Sequence, residues 1–212
     1  MHAPELWIVA GPNGAGKTTC VQKEPISKLL PGVTFLNPDD RTLTKLRAAG
    51  YRGFVDAPVD VQTKLFIESA NEVFDELEQA ITVGRAVGVE TVLSSDKYKQ
   101  LVDSVFQAKG FVGLFYVALA SPAIAKKRVA ERVRRGGHGV PDEKIKGRWQ
   151  RSLDNLAWFA RHATAFWIFD NSDWNAATPP TLVAVGKHGK LEHLASAAFL
   201  EMKAALASLK IT

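Results

Sequence analysis

A chain of 212 residues, 46% of them hydrophobic, is long enough to bury a sizeable core in one globular domain spanning residues 1–212. Its longest apolar run, Phe111 to Ala120, falls well short of the roughly 18 residues of a membrane span, and no basic segment leads into an apolar signal, so a cytoplasmic protein without a membrane partner is expected. The lone Cys20 excludes an internal disulfide and a structural zinc site, and the net charge of +5 is local: Lys126 to Arg151 holds ten Lys/Arg against three Asp/Glu.

In chain order, Leu6 to Ala10 reads as a buried strand that runs into a glycine-rich segment, followed by a helix-compatible stretch to Leu30 with Pro31-Gly32 as its stop. Gly11-Pro12-Asn13-Gly14-Ala15-Gly16-Lys17-Thr18 fits G-x-x-x-x-G-K-[ST], in which backbone N–H groups and a helix N-terminus wrap phosphates. In that motif Lys17 bridges the β- and γ-phosphates and Thr18 offers its hydroxyl to Mg²⁺. The candidate nucleotide-binding residues are therefore Gly11 to Thr18 together with Thr19. The chain lacks D-x-x-G and N-K-x-D, which argues against a Ras-like GTPase, and it lacks an L-S-G-G-Q-like signature.

Val33 to Leu36 reads as a second strand, Asn37-Pro38 as a turn, and Asp39-Asp40 as the acidic first turn of a helix reaching Ala49. Asp39 lies just past a strand's C-terminal end, where α/β sheets bind ligands, and is the candidate base for an acceptor hydroxyl; the alternative is a capping role. A long helix is expected from Val61 to about Gly84, on the spacing of Phe66, Ala70, Val73, Leu77 and Ala80. Val87 to Leu93 reads as a third strand, and its Glu90 is a carboxylate that would be costly to bury unpaired. It is a candidate to reach Mg²⁺ through water, to hold the acceptor, or to pair with a cation.

A helix from Lys97 to Lys109 and a strand from Phe111 to Ala118 follow. In Ser121 to Arg135, Arg128, Arg132 and Arg135 recur at i, i+4 and i+7 beside an apolar face of Ala125, Val129 and Val133. Gly136-Gly137-His138-Gly139 breaks this helix. Pro141-Asp142-Glu143 starts another, with Ile145, Trp149, Leu153 and Leu156 as its packing stripe and Arg148 and Arg151 outside it. Residues 122–161 are thus expected to form a basic helical lid over the phosphates. His138 is a candidate for phosphate or substrate contact or for a helix cap. A fifth strand, Ala165 to Phe169, ends in Asp170, which either serves the site or forms a turn. The tail reads as a hairpin around Gly189 and a final helix from His193 to about Leu209.

Strands that alternate with helices imply a three-layer α/β domain with a mainly parallel sheet and kinase-type topology, ending in a hairpin and a helix. A rival reading assigns the basic segment to a polynucleotide, as in a nucleotide-dependent nucleic-acid-binding protein or a polynucleotide kinase. The absence of aromatic side chains interleaved with the cluster argues against it.

Taken together, the phosphate loop, Asn37-Pro38-Asp39, Glu90-Thr91-Val92-Leu93-Ser94, and Arg132 through Gly136-Gly137-His138-Gly139-Val140-Pro141 to Arg148 and Arg151-Ser152-Leu153-Asp154-Asn155-Leu156 resemble the zeta toxin family over residues 5–172. The shorter branch with the Gly-Gly-His segment is the most similar. The resemblance implies a kinase that uses ATP and Mg²⁺ to phosphorylate a sugar hydroxyl of UDP-N-acetylglucosamine, with an antitoxin as protein partner. It implies Lys17 and Thr18 at the ATP phosphates and Mg²⁺, Asp39 as base and acceptor contact, and Arg132 and Arg148 as lid arginines. Arg128 and Arg135 compete with Arg132 for the first lid position, and Arg128 is otherwise an ATP contact. Glu90 and Arg151 are the further candidates for acceptor binding. In one place the chain departs from the family. Where sugar-nucleotide kinases carry a Glu-Gly-Thr-Leu-Arg-like stretch, this chain keeps Glu90 but has Val92 and Ser94 in place of the threonine and arginine, which leaves the acceptor open.

Overall fold

The computed structural model describes residues 2–22, 26–29, 33–173 and 178–211. Five strands, β1 (Glu5–Ala10), β2 (Phe35–Leu36), β3 (Ala86–Thr91), β4 (Phe111–Ala118) and β5 (Ala165–Asp170), run parallel in the order β2-β3-β1-β4-β5. Beyond β5 the sheet continues through β6 (Thr181–Lys187) and β7 (Lys190–Leu194), both antiparallel to their predecessors, and ends in β8 (Lys210–Ile211), parallel to β7. Seven of the eight residues of β4 are buried, as a central strand covered on both faces requires.

The covering helices are α1 (Lys17–Gln22), α2 (Ile26–Leu29), α3 (Pro38–Ala48), α4 (Val59–Thr82), α5 (Lys99–Gln107), α6 (Pro122–Arg134), α7 (Asp142–His162) and α8 (Leu200–Leu206). Each long helix follows its apolar period. Val73, Leu77 and Ala80 of α4 are buried, and so are Ile145, Trp149, Leu153 and Leu156 of α7. Within the sheet Trp7, Phe115 and Trp167 stack across β1, β4 and β5, with centroids 5.8 Å and 4.7 Å apart. Because β1 to β5 are parallel, their C-terminal ends bring Ala10, Leu36, Thr91, Ala118 and Asp170 to one edge. Open α/β sheets bind ligands at that edge, which makes it the place of the candidate site.

Four local expectations change. The second strand covers only Phe35 and Leu36, and Asn37 after it is a helix cap instead of a turn residue: its Oδ1 accepts from the Asp39 N–H at 2.9 Å and Pro38 opens α3. The third strand stops at Thr91, and Leu93 takes a left-handed conformation, φ 61°, with its side chain buried. Val133 is 42% exposed and does not continue the apolar face of α6, which ends at Val129. The tail helix spans only Leu200–Leu206, since pairing with β6 extends β7 through His193 and Leu194 and pairing with β7 recruits Lys210 and Ile211. The stop at Leu30 to Gly32 lies outside the described residues.

Candidate active site

The glycine-rich segment between β1 and α1 is held in one shape by its surroundings. Gly11 has φ 144°, and a Cβ there would stand 2.1 Å from the Val117 carbonyl oxygen, so β4 forbids any larger residue. From the end of β5, Asn171 Nδ2 donates to the Ala15 carbonyl at 2.7 Å and clamps the loop. No motif singles out Asn171, although its place directly after a buried strand is a usable signal. Asp170 proves to be a turn former, accepting from the Ser172 N–H at 2.9 Å and from the Ser172 hydroxyl.

Inside the loop Lys17 is buried, and its Nζ donates to the carbonyls of Gly11 at 3.0 Å and Pro12 at 3.3 Å. Burial lowers the ammonium pKa, while Glu90 and Asp39 raise it and Arg132 lowers it. The Thr18 hydroxyl donates to the Glu90 carboxylate at 2.8 Å and 3.0 Å. Burial raises the Glu90 carboxyl above its ordinary value, Lys17 and the Thr18 hydrogen bond lower it, and Asp39 and Asp40 raise it again. Thr19 is exposed, and Asn13 is buried with its Oδ1 unpartnered.

Facing the loop is a basic wall. Ser121 caps α6, its Oγ accepting from the Ile124 N–H at 3.4 Å, and Pro122 opens the helix. Arg128 lies beside the loop, its Cβ 3.1 Å from where a Cβ on Gly14 would stand, and its Nη2 donates to the Asp173 carbonyl. One turn later Nε and Nη2 of Arg132 are buried without hydrogen-bond partners. Arg135 points elsewhere: it is exposed and pairs with Glu131. Of the three competing arginines, Arg132 is therefore the one with guanidinium nitrogens that are buried and without hydrogen-bond partners.

The glycine segment folds back at this point because Gly136 adopts φ 84° and the Gly137 N–H donates to the Arg132 carbonyl at 3.0 Å. A Cβ on Gly137 would meet the Arg132 Cγ at 2.7 Å, so only glycine lets that side chain pass. The fold-back delivers His138 to Phe54 and Phe66, with ring centroids 4.8 Å and 6.0 Å away. Burial lowers the imidazole pKa below its ordinary 6.5, Asp39 raises it, and Arg132 and Arg148 lower it. These effects place His138, Asp39, Arg132 and Arg148 in one electrostatic neighbourhood.

Helix α7 carries Arg148 and is pinned to the exit of β3. Ser152 Oγ donates to the Val92 carbonyl at 2.7 Å, Asn155 Nδ2 to that of Leu93 at 3.0 Å, and Arg151 Nε to that of Ser94 at 3.2 Å. Below them Trp149 Nε1 donates to the Leu119 carbonyl at 2.8 Å, and the hydroxyls of Tyr116 and Ser152 meet at 2.9 Å. These bonds explain the left-handed Leu93, whose carbonyl is turned to Asn155. Arg148 has its pKa lowered by burial and raised by Asp39. Among the described residues neither the Asp39 carboxylate nor the Arg148 guanidinium has a hydrogen bond or an ion pair within the protein.

A strand, a glycine loop with a buried lysine, a helix and a facing buried arginine together form a P-loop nucleotide fold. Residues 6–156 match the model of the AAA domain family. The chain belongs to that family. Among curated protein sequences none matches the chain. Solved structures do. The AvrRxo1-ORF1:-ORF2 complex with ATP superposes with a TM-score of 0.68 at 14% identity, over 99% of this chain and 77% of that one. The PezAT chromosomal toxin-antitoxin system of Streptococcus pneumoniae gives 0.53 at 13% identity, over 80% and 68%. A chain of the Pnkp1/Rnl/Hen1 RNA repair complex gives 0.51 at 17% identity, over 72% and 45%. At these identities the likeness is one of fold, a P-loop kinase-like α/β domain with a mostly parallel sheet.

Proposed function

We propose that this AAA domain protein is a Mg²⁺·ATP-dependent kinase, similar to the zeta toxin family, that phosphorylates a hydroxyl of a small molecule. The observation that carries the reading is Arg132, a half-buried arginine whose Nε and Nη2 are buried without hydrogen-bond partners and whose charge acts on Lys17 of the phosphate-binding loop. A buried cation without protein partners is costly, and a transferring phosphoryl group supplies the missing acceptors.

In this reading the loop N–H groups and Lys17 hold the ATP phosphates, Lys17 exchanging its two carbonyl partners for phosphate oxygens. Thr18 and Glu90 form a pair of hard oxygen donors, suited to Mg²⁺ directly or through water. The ion would offset charge on the β- and γ-phosphates. Asp39 takes the proton of the acceptor hydroxyl as its oxygen attacks the γ-phosphorus, while the bond from that phosphorus to the β–γ bridging oxygen breaks and ADP leaves. Arg132 and Arg148 neutralise the charge of the transferring group, and Arg128 steadies the nucleotide side of the loop.

Acceptor choice belongs to Glu90, Asp39 and Arg151. Where the zeta toxin pattern has an arginine, Ser94 stands here, yet Arg151 reaches the Ser94 carbonyl from α7. A guanidinium is thus returned to that corner from another element, which keeps UDP-N-acetylglucosamine as the acceptor to test first. An antitoxin-like protein partner belongs to the same reading. The test is transfer from γ-labelled ATP with Mg²⁺ into UDP-N-acetylglucosamine, other nucleotide sugars, nucleosides, NAD and short oligonucleotides, with Lys17→Ala as blank. A labelled small molecule supports the reading; label on oligonucleotides alone replaces it with a polynucleotide kinase.

A further inference from the structure

His138 is a polar residue in a setting that asks for an apolar one. Its ring stacks on Phe66 of α4 and meets Phe54, on the connection from α3 to α4, at a tilt of 57°, contacts that a phenylalanine would make as well. Its Nδ1 is buried and has no hydrogen-bond partner. An orphaned nitrogen of this kind lowers stability, and proteins retain such atoms where a ligand completes them. The charged groups facing the ring are Asp39 from α3, Arg132 from α6 and Arg148 from α7. Burial and the two guanidinium groups keep the imidazole neutral at pH 7, so each nitrogen can serve a hydrogen bond to an uncharged polar group.

We propose that His138 contacts the acceptor, its Nδ1 hydrogen-bonding a second polar group of the molecule whose hydroxyl meets Asp39. The inference rests on the kinase reading and sharpens it. Arg132 and Arg148 attend the phosphoryl group, whereas His138, packed against two aromatic rings and within the field of Asp39, attends the molecule that receives it. The acceptor then carries a hydroxyl and a neighbouring hydrogen-bonding group, and a compound lacking the second is a poor substrate.

The test compares wild type with His138→Phe, which keeps the ring stack and deletes the nitrogens, and His138→Asn, whose amide overlays Nδ1. Four quantities are read on the full chain: the ligand-free thermal midpoint, the Kd for Mg²⁺·ATP, and KM and kcat for the acceptor labelled in the panel. The phenylalanine variant is expected to melt about 2–4 °C higher, to bind Mg²⁺·ATP within about twofold of wild type, and to show an acceptor KM raised about tenfold or more with a smaller change in kcat. The asparagine variant is expected to recover most of the KM. An unchanged acceptor KM in His138→Phe, or a lower midpoint, overturns the proposal and makes the imidazole structural. Should wild type label no acceptor, the kinase reading fails on its own account, and the midpoint still judges His138: higher supports a nitrogen held for a ligand, lower refutes it.

Discussion

The two sides of the site are built on opposite terms. On the phosphate-loop side most polar side chains find partners within the protein, Lys17 on the Gly11 and Pro12 carbonyls, Thr18 on Glu90 and Asn171 on Ala15, the buried Oδ1 of Asn13 being an exception. On the lid side Arg132 and His138 keep buried nitrogens without partners, and Asp39 and Arg148 make no ion pair among the described residues. Where a protein partner exists, ligand binding exchanges one hydrogen bond for another and gains modestly. Where none exists, the ligand supplies the whole interaction, so on the proposed kinase reading binding energy is concentrated on the side of Arg132, Arg148, His138 and Asp39.

The largest effect is expected at Arg132. Arg132→Ala should slow phosphoryl transfer by about 10³-fold, the lower end of what an arginine on a transferring phosphoryl provides, with a much smaller change in Mg²⁺·ATP affinity. Steady-state kinetics beside isothermal titration separate the two. A loss confined to ATP affinity would move Arg132 to the nucleotide side and erase the contrast.

Glu90→Gln sharpens the comparison from the loop side. Removing the charge should raise the Mg²⁺ concentration for half-maximal rate by about 10–100-fold. It should also raise the melting temperature of the free protein at pH 7. The carboxyl pKa is raised in the folded state, mainly by burial, so ionised Glu90 opposes folding above that pKa. As pH falls through the raised pKa toward the ordinary 4.5, wild type takes up its proton and the stability gap closes. Thermal melts of both proteins from pH 7 to pH 4 follow this directly.

His138 has the opposite sign. Its folded pKa is depressed, so the unfolded chain binds the proton first, and acid weakens the fold as pH drops below the ordinary 6.5. The melting advantage of His138→Phe over wild type should therefore widen below that pH. The smallest effect belongs to Arg135, exposed and paired with Glu131 on the outer face of α6. Arg135→Ala should leave transfer within about twofold of wild type and stability within about 0.5 kcal/mol.

The nucleotide side was legible in the sequence because its information is local: eight consecutive residues specify the loop, and a strand and a helix flank it. Asp39 was legible as well, since a strand end followed by Asn37-Pro38 puts it on the ligand edge of the sheet whether or not it also opens a helix. The lid arginines were legible only as a set of three, because helical spacing leaves open which one faces inward; the fold-back at Gly136-Gly137 onto Arg132 decides that. Phe54 gave no signal, since it reaches His138 across two connections that no periodicity relates. The tail failed for a different reason. His193 and Leu194 suit a helix locally, but the open edge of β6 recruits them as strand, tertiary pairing overriding propensity.

The most direct test of the central claim is Asp39→Asn, assayed for phosphoryl transfer from γ-labelled ATP into the acceptor that wild type labels, with Mg²⁺·ATP binding measured on the same preparation. The account predicts transfer reduced by about 10²–10⁴-fold with ATP affinity unchanged. Transfer that persists at the wild-type rate would contradict it and remove Asp39 as the base.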